Sequence, residues 1–206
     1  SKVMGPDEFH EKLPGSKEGG LTDNAYTNIM VSWLMARCLD FIGSLTDDNK
    51  RSLLKKLNFT NDEIEEWDKI HRNLHINIDE NGVIEQFTGY FDLDELDWED
   101  YKNRYGDIHR LDRILKSEGK SPDEYKLSKQ ADLLMAFYNL GVEEVSNILG
   151  DIGFTLPKDY FTKNFDYYIS RTSHGSTLSR LVHSNLAYRY GNKTLGWEMY
   201  VEALIS

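Results

Sequence analysis

The sequence predicts a mainly α-helical protein built from antiparallel helical hairpins, with one small β-hairpin near residues 75–88. Three observations carry this expectation. Apolar residues recur at i, i+3, i+4 and i+7 over most of the chain, the period of a helix with one buried face. The connections between these stretches are short, and helices joined briefly pack antiparallel. Only "HINIDENGVIEQF", residues 75–87, alternates with period two around a turn dipeptide.

In chain order, Tyr26, Ile29, Met30, Trp33, Leu34, Cys38, Phe41, Ile42 and Leu45 mark the first helix, with Asp23 or Asn24 to cap it. Ile64, Trp67, His71 and Leu74 mark the second, capped from Thr60, Asn61 or Asp62. The hairpin follows: Ile76 and Ile78 alternate with polar residues, Asn81–Gly82 suits a primed turn, and Val83 and Ile84 resume. Residues 87–122 are the least regular and are acidic around Asp92 to Asp100, which predicts a long surface excursion with some helix in it. Leu127, Ala131, Leu134 and Tyr138 resume the helical period, and Gly141 stops it. Val142, Val145, Ile148, Leu149 and Ile152 form the next face. A helix near Tyr160 to Ser170 follows Pro157; another runs through Leu178, Leu181, Val182 and Leu186 to Gly191; Trp197, Tyr200, Val201 and Leu204 mark the last. The abrupt ends suggest one piece of a larger helical array, because helical pairs without neighbours leave apolar faces uncovered.

The 206 residues suffice for one sizeable domain, and 39% hydrophobic with 29% charged residues is an ordinary globular balance. A formal net charge of −11 argues against nucleic acid or an anionic membrane as partner, while leaving room for a local cationic pocket. The one cysteine, Cys38, provides neither a disulfide nor a metal framework, and His71, His75 and His109 lack the spacing of a zinc site, so no metal is assigned. No apolar run is long enough to span a bilayer and no signal peptide opens the chain, which makes a cytoplasmic protein the expectation. Neither a Gly-x-Ser-x-Gly elbow nor a glycine-rich nucleotide loop is present. Aromatic residues, 12% of the chain, suit sugar sites, although most must serve helix packing.

Three stretches hold residues suited to chemistry. In "MGPDEFHEKLPG", Asp7, Glu8, His10 and Glu11 crowd together, and a carboxyl among like charges is held protonated more easily, as a general acid requires. The same crowding also describes a solvated acidic loop. Lys129 and Gln130, at the start of an apolar stripe but off its face, could bond sugar hydroxyls or simply face water. In "RTSHGSTLSRLVH", Ser176 and Thr177 stand where a helix begins, Gly175 permits close approach of the backbone, and Arg171 and His174 add donors or charge. A plain cap needs one hydroxyl, so this density of donors is equally that of an anion site.

Taken together and in this order, "GPDEFHEKLPGSKEGGLTDNAYTN", "IEQFTGYF", "KLSKQADLLM" and "RTSHGSTLSRLVHS" resemble glycoside hydrolase family 65, which holds the maltose, trehalose, kojibiose and nigerose phosphorylases and some hydrolases. Phe9 stands in place of the usual Tyr, and Gly175 where many of the phosphorylases carry Asp. The resemblance implies an (α/α)6 barrel, of which this chain is the later portion, with the N-terminal β-sandwich and earlier barrel helices absent. It implies that Glu8 is the general acid, that Lys129 and Gln130 contact the sugar, and that His174, Ser176 and Thr177, with Arg171 beside them, hold phosphate. The implied reaction is inverting phosphorolysis of an α-linked glucose disaccharide to β-glucose 1-phosphate and glucose. Inorganic phosphate is then a co-substrate, no cofactor is needed, and a homo-oligomer is expected. A trehalase-type hydrolase and an inactive sugar-binding scaffold are the alternatives, and the fragment alone is expected to be inactive.

Overall fold

The computed structural model describes residues 2–205. A two-residue antiparallel sheet pairs β1 (Lys2–Val3) with β2 (Leu21–Thr22), a feature that so short a stretch does not announce in sequence. The helices are α1 (Ala25–Gly43), α2 (Asp47–Leu57), α3 (Asn61–Asn73), α4 (Trp98–Tyr105), α5 (Leu111–Ser117), α6 (Asp132–Leu140), α7 (Val142–Ile152), α8 (Tyr160–Ile169), α9 (Thr177–Arg189) and α10 (Lys193–Ile205). Helix α1 packs on α3, α6 and α7, α6 on α7, α8 and α9, and α9 on α10. The α9–α10 pair, packed along its length, is a helical hairpin of the kind that builds an (α/α)6 barrel. No helix among the described residues is long and apolar enough to cross a membrane.

The ends of the helices follow local chemistry. Asn24, rather than Asp23, caps α1, its Oδ1 accepting from Thr27 N at 2.9 Å. Thr60 and Glu63 form a reciprocal capping box on α3. Gly141 adopts φ 87°, ends α6 and starts α7 at one residue. Helix α2 was not expected from hydrophobic period: it buries no residue and is held by its Thr46 cap and the left-handed Asn58.

The predicted hairpin forms, reduced to one bridge between Ile78 and Ile84. Gly82 sits in its turn at φ 85°, but Asn81 does not take a positive φ, so the turn is not the primed type expected: Gly82 N donates to Asp79 O at 3.0 Å and Asp79 N to Val83 O at 2.9 Å, a longer loop closed by Gly82. Asn164 of α8 holds the returning strand, accepting from Ile84 N and donating to Gly82 O, both at 2.8 Å. Ile84 thereby joins the main core, among Leu133, Leu134, Phe137, Ile148, Phe165 and Tyr168. Residues 87–122 differ from the expectation of a surface excursion. Helices α4 and α5 close over a second core of Leu96, Tyr101, Ile108, Leu111 and Leu115, which also takes in Phe9 and Leu127. Apolar contacts of these few side chains tie the segment down on the opening loop.

Candidate functional site

Three stretches more than 40 residues apart in sequence are sewn together by backbone bonds. Ser128 N donates to Arg171 O and Ser173 N to Ser128 O, each at 2.8 Å, a short parallel pairing that lays residues 128–130 beside the loop before α9. Lys129 N donates to Asp7 Oδ1 at 3.0 Å, which adds the opening loop. Side chains complete the join. Lys129 Nζ pairs with Glu8 Oε2 at 2.6 Å. Gln130 donates to Pro6 O at 2.7 Å and accepts from Ser176 Oγ at 2.9 Å. Glu8, Lys129, Gln130 and Ser176 therefore form one continuous line. Neither Lys129 nor Gln130 lies within a helix: α6 begins at Asp132, so Leu127 and Ala131 are buried from an extended segment.

Beneath this line lies a buried polar hub in which Asp7 and His10 of the acidic opening stretch meet Asp132, a residue the sequence did not single out. Asp7 is fully buried, and its carboxylate accepts from Lys129 N, from Phe9 N at 3.2 Å and from Gln86 Nε2 at 3.5 Å. His10, also fully buried, places Nδ1 2.8 Å from Asp7 Oδ2 and Nε2 2.9 Å from Tyr125 O. A carbonyl only accepts, so Nε2 donates, and a carboxylate at Nδ1 makes His10 a double donor. Burial opposes that cation, but the hydrogen bond and charge of Asp7, the Tyr125 carbonyl and the charge of Asp123 outweigh it and hold the imidazole pKa above its ordinary value. Asp132, at the first turn of α6, accepts from Asp7 N and, at 2.7 Å, from Asn24 Nδ2. Burial, then the charge of Asp7, pushes its carboxyl up to about 8. A Cβ on Gly5 would collide with Asp132 and Asn24, which is why the stretch opens on glycine.

Around α9, Ser176 is the cap, its Oγ accepting from Ser179 N at 3.2 Å. His174 takes a left-handed φ of 52°, a conformation that costs free energy outside glycine and persists only where neighbours hold it. Its Nδ1 lies 3.0 Å from Ser179 Oγ and its ring packs edge-on against His183, centroids 4.7 Å apart. His183 donates from Nδ1 to Ser179 O at 2.7 Å, so its buried Nε2 carries a lone pair with no partner. Burial, then electrostatic repulsion from His183, Arg180 and His109, pushes His174 down to about 2; burial brings His183 to about 4. Both rings are neutral near pH 7, so His174 contributes hydrogen bonding rather than charge.

Arg171 does not join the cluster. Its guanidinium clasps Glu95 through Nε and Nη2, at 3.1 and 2.9 Å, donates to Tyr167 O at 2.9 Å and lies over the Tyr167 ring. Gly175, in contrast, is needed for space: a Cβ there would run into the His109 carbonyl and stand 3.4 Å from Lys129 Cγ. Two cavities flank the line. One, about 660 Å³, is lined by Met4, Gly5, Asp7, Glu8 and Gly20. The other, about 610 Å³, is lined by His109, Arg110, Gly175, Ser176, Thr177 and Arg180. An exposed carboxyl, 63% accessible, on one side and a helix N-terminus on the other can together serve proton donation and anion binding. Among the described residues, no group of three or more His, Cys, Asp or Glu is placed to hold a metal.

Residues 1–206 match the glycosyl hydrolase family 65 central catalytic domain. The chain is 45% identical over 190 residues to a trehalose 6-phosphate phosphorylase of Lactococcus lactis, covering 92% of this chain and 23% of the relative. It is 31% identical to a kojibiose phosphorylase of Halothermothrix orenii, covering 93% of this chain and 23% of that protein. A solved structure from the human microbiome, provisionally assigned as a kojibiose phosphorylase, superposes with a TM-score of 0.69 at 25% identity, over 96% of this chain and 24% of the other. The chain thus spans about a quarter of the length of these relatives. With the match running from end to end and the motif stretches gathered at one place in a helical fold, the chain belongs to glycosyl hydrolase family 65, within its central catalytic domain.

Proposed function

We propose that the longer protein carrying this chain performs inverting phosphorolysis of an α-linked glucose disaccharide. The observation that carries the reading is the line from Glu8 through Lys129 and Gln130 to Ser176, with a cavity on either side. An oxygen of phosphate attacks the anomeric carbon as the bond to the glycosidic oxygen breaks. Glu8 gives its proton to the departing oxygen, and the new C–O–P bond forms on the opposite face, yielding β-glucose 1-phosphate. Phosphate arrives as an anion and needs no general base, so one carboxyl suffices. Lys129 and Gln130 hold the glucose ring, and the Ser176 hydroxyl on Gln130 Oε1 links the sugar contacts to the start of α9. The relative with 45% identity is named for a disaccharide phosphate, so the second sugar could itself be phosphorylated.

The test is a panel of trehalose, trehalose 6-phosphate, kojibiose, maltose and nigerose, each with and without inorganic phosphate, on the full-length protein, with proton NMR reading the first anomer formed. The expected result is turnover that requires phosphate and gives the β-anomer. Equal release of glucose without phosphate would replace phosphorolysis by hydrolysis. Binding without turnover on every sugar would leave a scaffold.

A further inference from the structure

Among the described residues the Glu8 carboxyl makes one hydrogen bond, to Lys129, whose Nζ stands 2.6 Å from Oε2. An ammonium only donates, so the oxygen it meets accepts and carries no proton. A general acid must carry one. Glu8 is therefore held in the form that has nothing to give a departing oxygen, and the residue that holds it is the one set to meet the sugar.

Only side chains are left to move. Glu8 sits between Asp7 and Phe9, both buried. Lys129 N is bonded to Asp7 Oδ1, Ser128 before it is paired with Arg171 and Ser173, and Gln130 after it is bonded to Pro6 O and Ser176 Oγ. The Lys129 side chain is 19% exposed and that of Glu8 63%, so a sheltered stem carries the ammonium out to a carboxylate facing water. A pair open to water on one side holds by about fivefold at most in an equilibrium, which a ligand can overcome.

The other charges that face Glu8 do not replace Lys129. Asp7 and Glu11 line the same 660 Å³ cavity, and Lys2 on its wall stands 3.1 Å from Glu18. Arg110, just before α5, feels the charge of Glu8 but gives Nε and Nη2 to the two oxygens of Asp112. With Lys129 turned away, Glu8 keeps carboxylates beside it, and a sugar in the cavity shuts out water. Like charges and lost hydration both favour the protonated carboxyl.

We propose that Lys129 is a latch on Glu8: a glucose ring draws the ammonium from the carboxylate to its own hydroxyls, and Glu8 then takes one proton from solvent, so the acid is armed only when sugar is bound. The proton given later to the glycosidic oxygen is the one taken up at binding. The latch rests on Glu8 as the acid and Lys129 as the sugar contact. It holds whether phosphate or water attacks, because either route protonates the same oxygen.

Glu8 and the sugar thus compete for one ammonium, and calorimetric titration of the full-length protein with glucose alone, without phosphate, reads that competition. In the native protein the affinity for glucose rises as the pH is lowered from about 7.5 to about 5.5, toward the limit of about tenfold per pH unit for one proton. Glu8→Gln, which frees the ammonium, binds glucose about threefold or more tightly than the native protein near pH 7.5 and loses that pH dependence. The gain disappears when Glu8→Gln is made on a Lys129→Gln background. An acid that merely waited beside the sugar would leave glucose affinity unchanged, and one that bonded the sugar would weaken it when removed. Unchanged or weaker binding in Glu8→Gln, a gain that persists without Lys129, or a native affinity indifferent to pH each overturns the proposal. Should the Lys129 variant fail to fold or to bind, the comparison of native protein with Glu8→Gln across pH decides. Turnover of disaccharides without phosphate would remove phosphorolysis and leave these expected affinities as they are.

Discussion

Replacing Asp7 by Asn should loosen the whole reactive line, because one buried carboxylate holds both of its strands. The amide keeps the carboxyl's shape and one acceptor oxygen. It loses the charge that faces the buried His10 and turns one acceptor into a donor. Removing one partner of a buried pair costs about 3–5 kcal/mol, since the other charge is left uncompensated. The retained oxygen can still serve Lys129 N, which argues for the lower end, about 3 kcal/mol. That loss of about 3 kcal/mol is expected in the unfolding free energy of the full-length protein. Denaturant unfolding of the full-length protein reads that loss, and a double-mutant cycle with His10→Gln reads the pair itself. The two substitutions should be strongly non-additive, with a coupling above about 1 kcal/mol. Activity should fall through kcat more than through KM, since Glu8 and Lys129 are mispositioned rather than removed. A loss below about 1 kcal/mol, or additive effects of the two substitutions, would refute the role given to the pair.

Other expectations follow from the same geometry. Glu8→Gln should lower turnover about 10²–10⁴-fold in the full-length protein while sugar binding persists, and a loss under tenfold in steady-state assays would remove Glu8 as the acid. Gly175→Ala should cost about 1–3 kcal/mol in urea unfolding, because the backbone carbonyl of His109 cannot move aside as a flexible side chain could. Stability should peak near pH 6.5. Below it the unfolded chain takes up protons that His174 and His183, held down to about 2 and about 4, refuse; above it the fold retains protons on Asp132, held up to about 8, and on the raised His10. Denaturation curves across pH check this, with Asp132→Asn flattening the alkaline side. The 206-residue chain by itself should be inactive and self-associate, because Tyr188, Trp197, Leu204 and Ile205 are 59%, 65%, 66% and 79% exposed along α9 and α10. Light scattering that found a clean monomer would contradict the second half of that statement.

Legibility in the sequence tracked the range of the interaction. The caps at Asn24, Thr60 and Ser176 and the turn at Asn81–Gly82 depend on neighbours a few residues away, and each is where local chemistry places it. Helix α2 escaped because its apolar residues, Leu53, Leu54 and Leu57, are confined to its last turns and none is buried. The second core was hidden because Phe9 and Leu127 must be brought to Leu111 from opposite directions along the chain. The joining of Asp7 and His10 to Asp132 was unreadable for the same reason. Asp132 reads as an ordinary acidic first-turn residue until the fold sets Asp7 N against it, 125 residues away in sequence. Arg171 shows the limit most plainly. Sequence proximity favoured it, but Glu95, 76 positions upstream, takes its guanidinium.

The span of that hub has a consequence for how the protein is made. Translation is vectorial, and residues leave the ribosome at roughly 5–20 per second. Asp7 and His10 therefore emerge many seconds before Lys129 and Asp132, which lie 122 and 125 positions downstream of Asp7. For roughly 6–25 seconds, at those rates, the opening loop lacks the Lys129 and Asp132 partners that complete the hub. Its charged groups stay hydrated in the meantime, and the apolar face of α1 that α6 will cover has no partner. The nascent chain thus passes through a stage in which α1–α3 can assemble but the reactive line cannot. During that stage its uncovered apolar face is open to triage by chaperones and proteases, and substitutions that weaken the hub should lower yield in the cell before they lower the activity of the molecules that mature.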